Sequence, residues 1–496
     1  MTQRGHSERL SAQDASFLYM ERSEAPLHIG SIAVFDGDVP YGEFVDNIRA
    51  KLHLIPRYQQ IVLPAPFNIG HPTWEWDPDF DLHRHIFEIN LDKPGTDEQM
   101  HEKAAELFAP MLERNKPLWE LYLIHGLSGG RSALVSKVHH CLVDGVSGIE
   151  LLMIMLDVSA TPIPPMPVPE VEKEPPAPPL SRFFDAIFDN VKTDIDRLAA
   201  RSQLRLDIAG GETQVRSIAR ALETTVPYFQ VPVTRAPFNQ PLRGGRHVAF
   251  SEFSFQEIRH IRQAAGGTVN DVVLTVLGGA LGRYLELHGQ TTHGRTARIL
   301  TPVNVRKDDE KGALGNRVSM LLVPVPVGIS DPIKRLQAVT SRTDALKRQH
   351  IADGIESLSG VIGGTPPILQ AAAGLLPPPP NTIANMVCTN VPGPMIPLYS
   401  VGHRLLGHYP LVPIAFEMGV GLGVTSYDQK LYFGYMADAH ACQDVQHLKE
   451  FTDQAFVELR SAAGVERSDL PQVGVQAPAA PRAAASPARA LAADAG

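Results

Sequence analysis

The chain has 496 residues, 44% hydrophobic and 20% charged, which suits roughly two to four domains with substantial cores and excludes a disordered or fibrous protein. Lys plus Arg number 45 against 54 Asp plus Glu, a formal charge of −9 with no basic run, so nucleic acid is not the expected partner. Three widely spaced cysteines, Cys141, Cys388 and Cys442, make neither a disulfide framework nor a CxxC metal knuckle, and a reducing, cytoplasmic setting is expected.

The N-terminus, MTQRGHSERLSAQD, is polar where a signal peptide needs an apolar stretch. Farther along, Tyr41 to Leu54 has helical spacing, and Leu118 to Leu127 and Ser132 to His139 read as strands joined by a turn at Gly126 to Arg131. A helical run, Ile149 to Leu156, follows the segment HHCLVDG. Nine prolines then fall between Pro162 and Pro179, and because proline lacks the amide hydrogen this stretch reads as an extended tether. The expected organisation is therefore residues 1–159 as an N-terminal domain, 160–182 as linker, 183–465 as a C-terminal domain and 466–496 as a disordered tail. Eleven of the last twenty residues are alanine, which cannot bury a core.

After the linker, Phe184, Ile187, Phe188, Val191, Ile195 and Leu198 recur at helical spacing. That amphipathic helix fits packing on its own domain or contact with a lipid surface. Strand-like runs at His247 to Phe253, Arg298 to Val303, Val318 to Val327, Thr382 to Asn390, Val420 to Ser426 and Lys430 to Tyr435 alternate with helical ones at Val269 to His288 and Ile333 to Lys347. Interleaving of this kind predicts an α/β architecture with mixed sheets. The most apolar helix, Val272 to Leu281, meets Arg283 well short of spanning length, so any membrane contact is expected to be peripheral.

The chemistry centres on His139, His140 and Asp144, which end a strand and lead into a helix. Successive side chains on a strand face opposite ways, so the two imidazoles cannot both reach one small substrate atom. A histidine near its reference pKa of about 6.5 can take a proton from a hydroxyl, amine or thiol. The same heptapeptide also fits two structural histidines satisfied by backbone carbonyls, and Asp144 fits either an imidazole partner or an arginine partner. Adjacent histidines chelate a metal poorly, and no HExxH completes a site. Cys141 would point away from a base directly beside it. The GxSxG match at Gly126 to Gly130 leads into a strand rather than a helix, which reads as a hairpin turn.

Taken together, the segments LSAQDASFLYMERSEAPLHIG (Leu10 to Gly30), PLWE (Pro117 to Glu120), HHCLVDGVSG (His139 to Gly148), TVNDVVL (Thr268 to Leu274), PVNVR (Pro302 to Arg306), GNRVS (Gly315 to Ser319) and TNVPGP (Thr389 to Pro394) carry a resemblance. The chain resembles the bacterial wax ester synthase/acyl-CoA:diacylglycerol acyltransferase family, within the superfamily of chloramphenicol acetyltransferase and peptide-synthetase condensation domains. Leu27 before His28, and Cys388 and Thr389 before Asn390, depart from that family's usual methionine and serine.

The resemblance implies a two-domain chloramphenicol acetyltransferase-like fold with mixed sheets and the active site between the domains. It implies a catalytic set of His140, His139 and Asp144, with His140 as general base and Asp144 mainly architectural, paired with Arg306. By position in the matched motifs, Asn270, Gly145 and Trp119 would lie at the substrate, and Arg306, Asp271, Asn390, Pro392 and Gly393 would be structural. The expected reaction moves a long-chain acyl group from acyl-CoA to diacylglycerol or a long-chain alcohol, with no metal or permanent cofactor and with peripheral contact to a membrane or lipid droplet. The rival expectations are a homologue that binds lipid without turnover and a condensation-type enzyme with another acceptor.

Overall fold

In a computed structural model the chain is described over residues 8–143, 148–161, 176, 178, 181–186, 233–304, 318–348, 366–375 and 383–468. Helix α1 (Ala12–Met20) is capped by Ser11 and follows β1 (Glu8–Arg9), which forms a small three-stranded sheet with β3 (Gln60–Leu63) and β4 (Thr73–Trp76). The first large sheet contains β2 (His28–Phe35), β5 (Ile86–Asn90), β6 (Trp119–Leu127) and β7 (Arg131–His139). Alternation along β7 feeds two cores. Leu134 and Val138 join Phe44, Val45 and Ile48 of α2 (Tyr41–Lys51) on one face, whereas Ala133 and Val135 join Met100 and Phe108 of α3 (Asp97–Phe108) on the other. A strand covered on both faces is largely apolar, and SALVSKV carries Ala133, Leu134, Val135 and Val138 with only two small serines and one lysine besides.

Strands β5 and β6 run parallel and therefore need a crossover. It is α3, started by a reciprocal capping box between Thr96 and Gln99. Short helix α4 (Gly148–Met155) follows the histidine segment.

The second large sheet holds β8 (Arg246–Ser254), β9 (Thr296–Asn304), β10 (Val318–Pro326), β11 (Met386–Val391), β14 (Val420–Tyr427) and β15 (Lys430–Asp438), in the order β10-β9-β11-β14-β15-β8. Helices α5 (Phe255–Ala265), α6 (Val269–Leu287), α7 (Pro332–Arg348) and α9 (Val445–Ala462) share its core, and α8 (Pro367–Leu375) packs on α1. The apolar run of α6 is core, buried from Asp271 to Leu285 except at Arg283. Among the described residues no single helix is long and apolar enough to cross a membrane.

The division at the linker does not coincide with the division between the sheets. Strands β12 (Tyr399–Ser400) and β13 (His403–Leu411) lie in the C-terminal half of the sequence yet complete the first sheet, in the order β12-β13-β2-β7-β6-β5. Strand β13 pairs antiparallel with β2, from Leu405 opposite Phe35 to Leu411 opposite Gly30, with a bulge at Leu405 and Gly407. It thereby covers the amide edge that β2 would otherwise expose. The seam where β13 crosses β14 and β15 is floored by glycine: a Cβ on Gly434 would lie 1.9 Å from the Pro410 carbonyl oxygen, and one on Gly423 would lie 3.1 Å from the Pro410 Cβ. Tyr427 clamps the same strand, its hydroxyl donating to the Leu405 carbonyl at 3.0 Å.

Cleavage of the linker between Ala160 and Arg182 is accordingly expected to leave two fragments that co-elute on a sizing column in native buffer and separate only in denaturant, because β2 and β13 belong to different fragments. Of the amphipathic helix expected from Phe184 to Leu198, residues 181–186 are helical and 187–198 lie outside the described residues, as does most of the linker. The tail was expected to begin at 466, but Ser468 is tied down: its amide donates to Glu257 Oε1 at 2.8 Å and its hydroxyl to Ser254 Oγ at 2.7 Å. Residues 469–496 lie outside the described residues.

Candidate active site

Strand β7 ends at His139, and a 3-10 turn takes over from His140 to Val143. The break in geometry separates the two imidazoles. The His140 amide donates to the Leu27 carbonyl at 2.9 Å, and the ring of this partly buried residue stacks on Phe17 of α1, with centroids 4.0 Å apart and planes at 19°. Burial pushes the His140 imidazole down to about 4, aided by repulsion from His139 and opposed by its own backbone contact. At neutral pH the ring is therefore unprotonated, with one ring nitrogen able to accept a proton.

His139 is sealed from solvent and opposes His28 across β2. Its Nδ1 accepts from the Cys141 amide at 3.2 Å, with the Cys141 sulfur at 3.0 Å, so the ring proton is assigned to Nε2. That nitrogen faces Glu21 Oε1 at 3.4 Å. Glu21 ends α1, and its buried carboxylate also accepts from the Leu27 amide at 3.0 Å and from Arg114 at 3.0 Å. Burial alone would raise this carboxyl; the facing His139 ring, the Leu27 amide and Arg114 outweigh it and hold the group at about 2. Burial pushes the Cys141 thiol well above its usual range, which removes it as a thiolate nucleophile.

A second buried charge sits two residues back on the same face of β7. Lys137 is fully enclosed and donates to the carbonyls of Leu107 at 3.0 Å and Pro110 at 2.7 Å, with Glu120 Oε2 at 3.8 Å. Burial lowers its ammonium to about 8. Together with the bond from His28 Nε2 to the Phe108 carbonyl at 2.7 Å, these contacts fasten the end of α3 beneath the strand that delivers the histidines.

The remaining expected residues are distributed as follows. Asp144, Gly145 and Arg306 lie outside the described residues. Trp119, expected at the substrate, is instead closed into the core: it is 1% exposed, its indole N–H donates to the Tyr58 carbonyl at 2.8 Å, and its ring stacks on His85 at 4.4 Å. Its place in β6 opposite Val138 makes it a support for β7. Asn270 is half-buried in the first turn of α6, whose cap is Thr268 rather than Asn270. Asp271 completes the capping box and accepts from Thr343 Oγ1 at 2.7 Å, tying α6 to α7. Asn390 pairs with Val424 in β11, Pro392 is exposed, and Gly393 passes so close to β14 that a Cβ would lie 2.1 Å from the Ser426 carbonyl oxygen. The glycine-rich GxSxG stretch is the hairpin turn between β6 and β7.

Sequence reasoning assigned no role to Phe17, Glu21, Arg114 or Lys137. Lys137 alone carried a local signal, a single charge inside an apolar strand, which implies a buried partner.

A family model described as wax ester synthase/diacylglycerol acyltransferase catalytic domain matches residues 10–273, and one described as WS/DGAT C-terminal domain matches residues 314–460. Two Mycobacterium tuberculosis proteins, each named "probable diacylglycerol O-acyltransferase", are 29% and 30% identical over 463 and 476 residues, covering 91% of this chain and 95% and 98% of theirs. The solved wax ester synthase/diacylglycerol acyltransferase from Marinobacter aquaeolei VT8 shares the fold with a TM-score of 0.63 at 23% identity, covering 92% of this chain and 100% of that one. The first condensation domain of the calcium-dependent antibiotic synthetase matches at a TM-score of 0.58 and 15% identity, over 92% of this chain and 96% of that one. With the two family models covering the histidine turn, the first sheet and every strand of the second but β9, the chain belongs to the wax ester synthase/diacylglycerol acyltransferase family and is an acyltransferase of the two-domain, mixed-sheet fold that family shares with condensation domains.

Proposed function

We propose that the protein transfers a long-chain acyl group from acyl-CoA to the hydroxyl of diacylglycerol, of a long-chain alcohol, or of both, with His140 as general base. The observation that carries this reading is His140 itself: a partly buried residue whose ring is unprotonated through burial and stacked on Phe17, with its amide held to Leu27. The acceptor O–H proton passes to the imidazole as the oxygen attacks the thioester carbonyl. Collapse of the tetrahedral intermediate breaks the C–S bond, and the CoA sulfur leaves with the proton returned from His140. An aliphatic hydroxyl is too weak an acid to ionise beforehand, so proton removal accompanies attack, and assistance of this kind supplies about 10² to 10⁴-fold. A thioester needs no metal or resident cofactor for this exchange; acyl-CoA is a substrate.

Such a reaction joins a water-soluble donor to an apolar acceptor, which fits a cytoplasmic protein touching a membrane or lipid droplet from outside. Phe67 at 82%, Phe184 at 50% and Leu375 at 85% exposure support that contact.

Labelled palmitoyl-CoA, offered dipalmitoylglycerol and hexadecanol in parallel across pH, tests the assignment. Ester is expected with at least one acceptor. Because burial holds His140 near 4, the base form persists on acidification, and kcat/KM is expected to stay flat well below the imidazole's ordinary value of about 6.5. Acyl-CoA bound without ester would support the lipid-binding alternative, and an acid limb at about 6.5 would remove the buried His140 as the base.

A further inference from the structure

The buried carboxylate of Glu21 stands one step from His140 along two separate routes. One is side chain to side chain: Oε1 faces the Nε2–H of His139 at 3.4 Å, and His139 in turn accepts from the Cys141 amide at 3.2 Å inside the 3-10 turn. The other is through the backbone: the same Oε1 accepts from the Leu27 amide at 3.0 Å, and the Leu27 carbonyl accepts from the His140 amide at 2.9 Å. The two routes reach the residues on either side of the His140 ring and the amide of His140 itself. Helix α1 adds a third constraint, because Phe17, which stacks on His140, lies one turn before Glu21 and accepts the Glu21 amide at 3.0 Å.

A buried carboxylate is costly unless its lone pairs are used, and here each oxygen is engaged, with Arg114 donating to Oε2 at 3.0 Å and to the Leu18 carbonyl at 2.8 Å. A structural role in α1 alone would need only the arginine. The contacts to His139 and Leu27 instead bind the end of α1 to the last residue of β7, from which the base emerges, and to the residue that leads into β2.

Resting on the general-base reading above, we infer that Glu21 is the positioning residue of the reaction, fixing the His139 tautomer and the Leu27–His140 contact so that the His140 ring meets the acceptor hydroxyl in one orientation. It touches neither substrate nor the reacting atoms. Its effect belongs in kcat, since the ring must be placed correctly in the transition state, while acyl-CoA binding does not depend on it.

The test uses the full-length chain and compares wild type, Glu21→Gln, Glu21→Asp, His139→Gln and the double variant Glu21→Gln/His139→Gln. The readouts are kcat and KM for palmitoyl-CoA and the ring 15N shifts of His139, assigned by their loss in His139→Gln. Glu21→Gln keeps an oxygen for the Leu27 amide but loses the charge facing His139. Its kcat is expected to fall by up to about 10²-fold with KM within about threefold of wild type, and the His139 tautomer signal is expected to change. In the double variant the loss is expected to stay within about threefold of the worse single variant, because both changes break one route. Wild-type kcat in folded Glu21→Gln, losses that multiply in the double variant, or a lost kcat with an unchanged His139 signal would each overturn the inference. Should Glu21→Gln fail to fold, Glu21→Asp, which keeps the charge and shortens the reach, carries the same comparison. Absence of ester from wild type would overturn the acyl-transfer reading instead, and the His139 shifts would still decide whether Glu21 sets that tautomer.

Discussion

His140→Ala is expected to lower ester formation by about 10²- to 10⁴-fold, the range that general-base assistance supplies, while the chain stays folded and binds acyl-CoA nearly as before. The fold survives because His140 is only partly buried and its ring packs on the Phe17 face; the amide bond to Leu27 does not need the side chain. His139→Ala should reverse the balance. It strips a fully buried neighbour from the Glu21 carboxylate and from the Cys141 amide, and buried groups left without partners cost about 1–3 kcal/mol each. Initial rates with palmitoyl-CoA, together with thermal melts of both purified variants, separate the two effects. Wild-type turnover in His140→Ala would end the general-base mechanism, and equal loss in both variants without loss of stability would point to a site the histidines share.

The second large effect concerns the seam between the sheets. Gly434→Ala would drive a methyl to within 1.9 Å of the Pro410 carbonyl oxygen, a backbone atom that cannot rotate away. Strand β13 must therefore shift, and the expected destabilisation lies at or above the top of the roughly 1–3 kcal/mol that overpacking costs. Gly42→Ala provides the opposite sign in the same chain. That glycine sits early in α2 with open space where its Cβ would go, and alanine there is expected to stabilise by up to about 1 kcal/mol. Urea titrations of the two variants check the pair. A Gly434→Ala midpoint equal to wild type would mean that the close approach does not constrain the seam.

The regular elements were legible wherever one period dominated. RSALVSKVH is buried on both faces and reads as a strand, and VNDVVLTVLGGALGRYLEL reads as a buried helix. Alternation predicted separate surroundings for His139 and His140, but the strand stops at His139 and the 3-10 turn beginning at His140 is what parts the two rings. What the sequence hid was long-range. HRLLGHYPL has no clean alternation, since its bulge and its glycine-floored crossing break the period, and nothing local says that it pairs with a strand 370 to 381 residues earlier. Trp119 was expected at a substrate because its motif carried it there; whether an indole faces a ligand or a core is settled by what folds over it, here Tyr58 and His85. Glu21 sits in a polar stretch, ERSEAP, that looks like a solvated turn, and only the folded chain shows that the ends of α1, β2 and β7 close around it.

The return of β13 to the first sheet also sets the order in which the chain can become a protein. During synthesis the four strands up to His139 emerge long before Leu411, so the edge of β2 meets solvent, and neighbouring nascent chains, for the time needed to make the intervening residues. The histidine turn is thus translated early on a sheet whose edge strand arrives late, and the half-made chain carries the aggregation hazard of an open edge. A nonsense mutation or a ribosome stall between the linker and Leu411 would release such a chain.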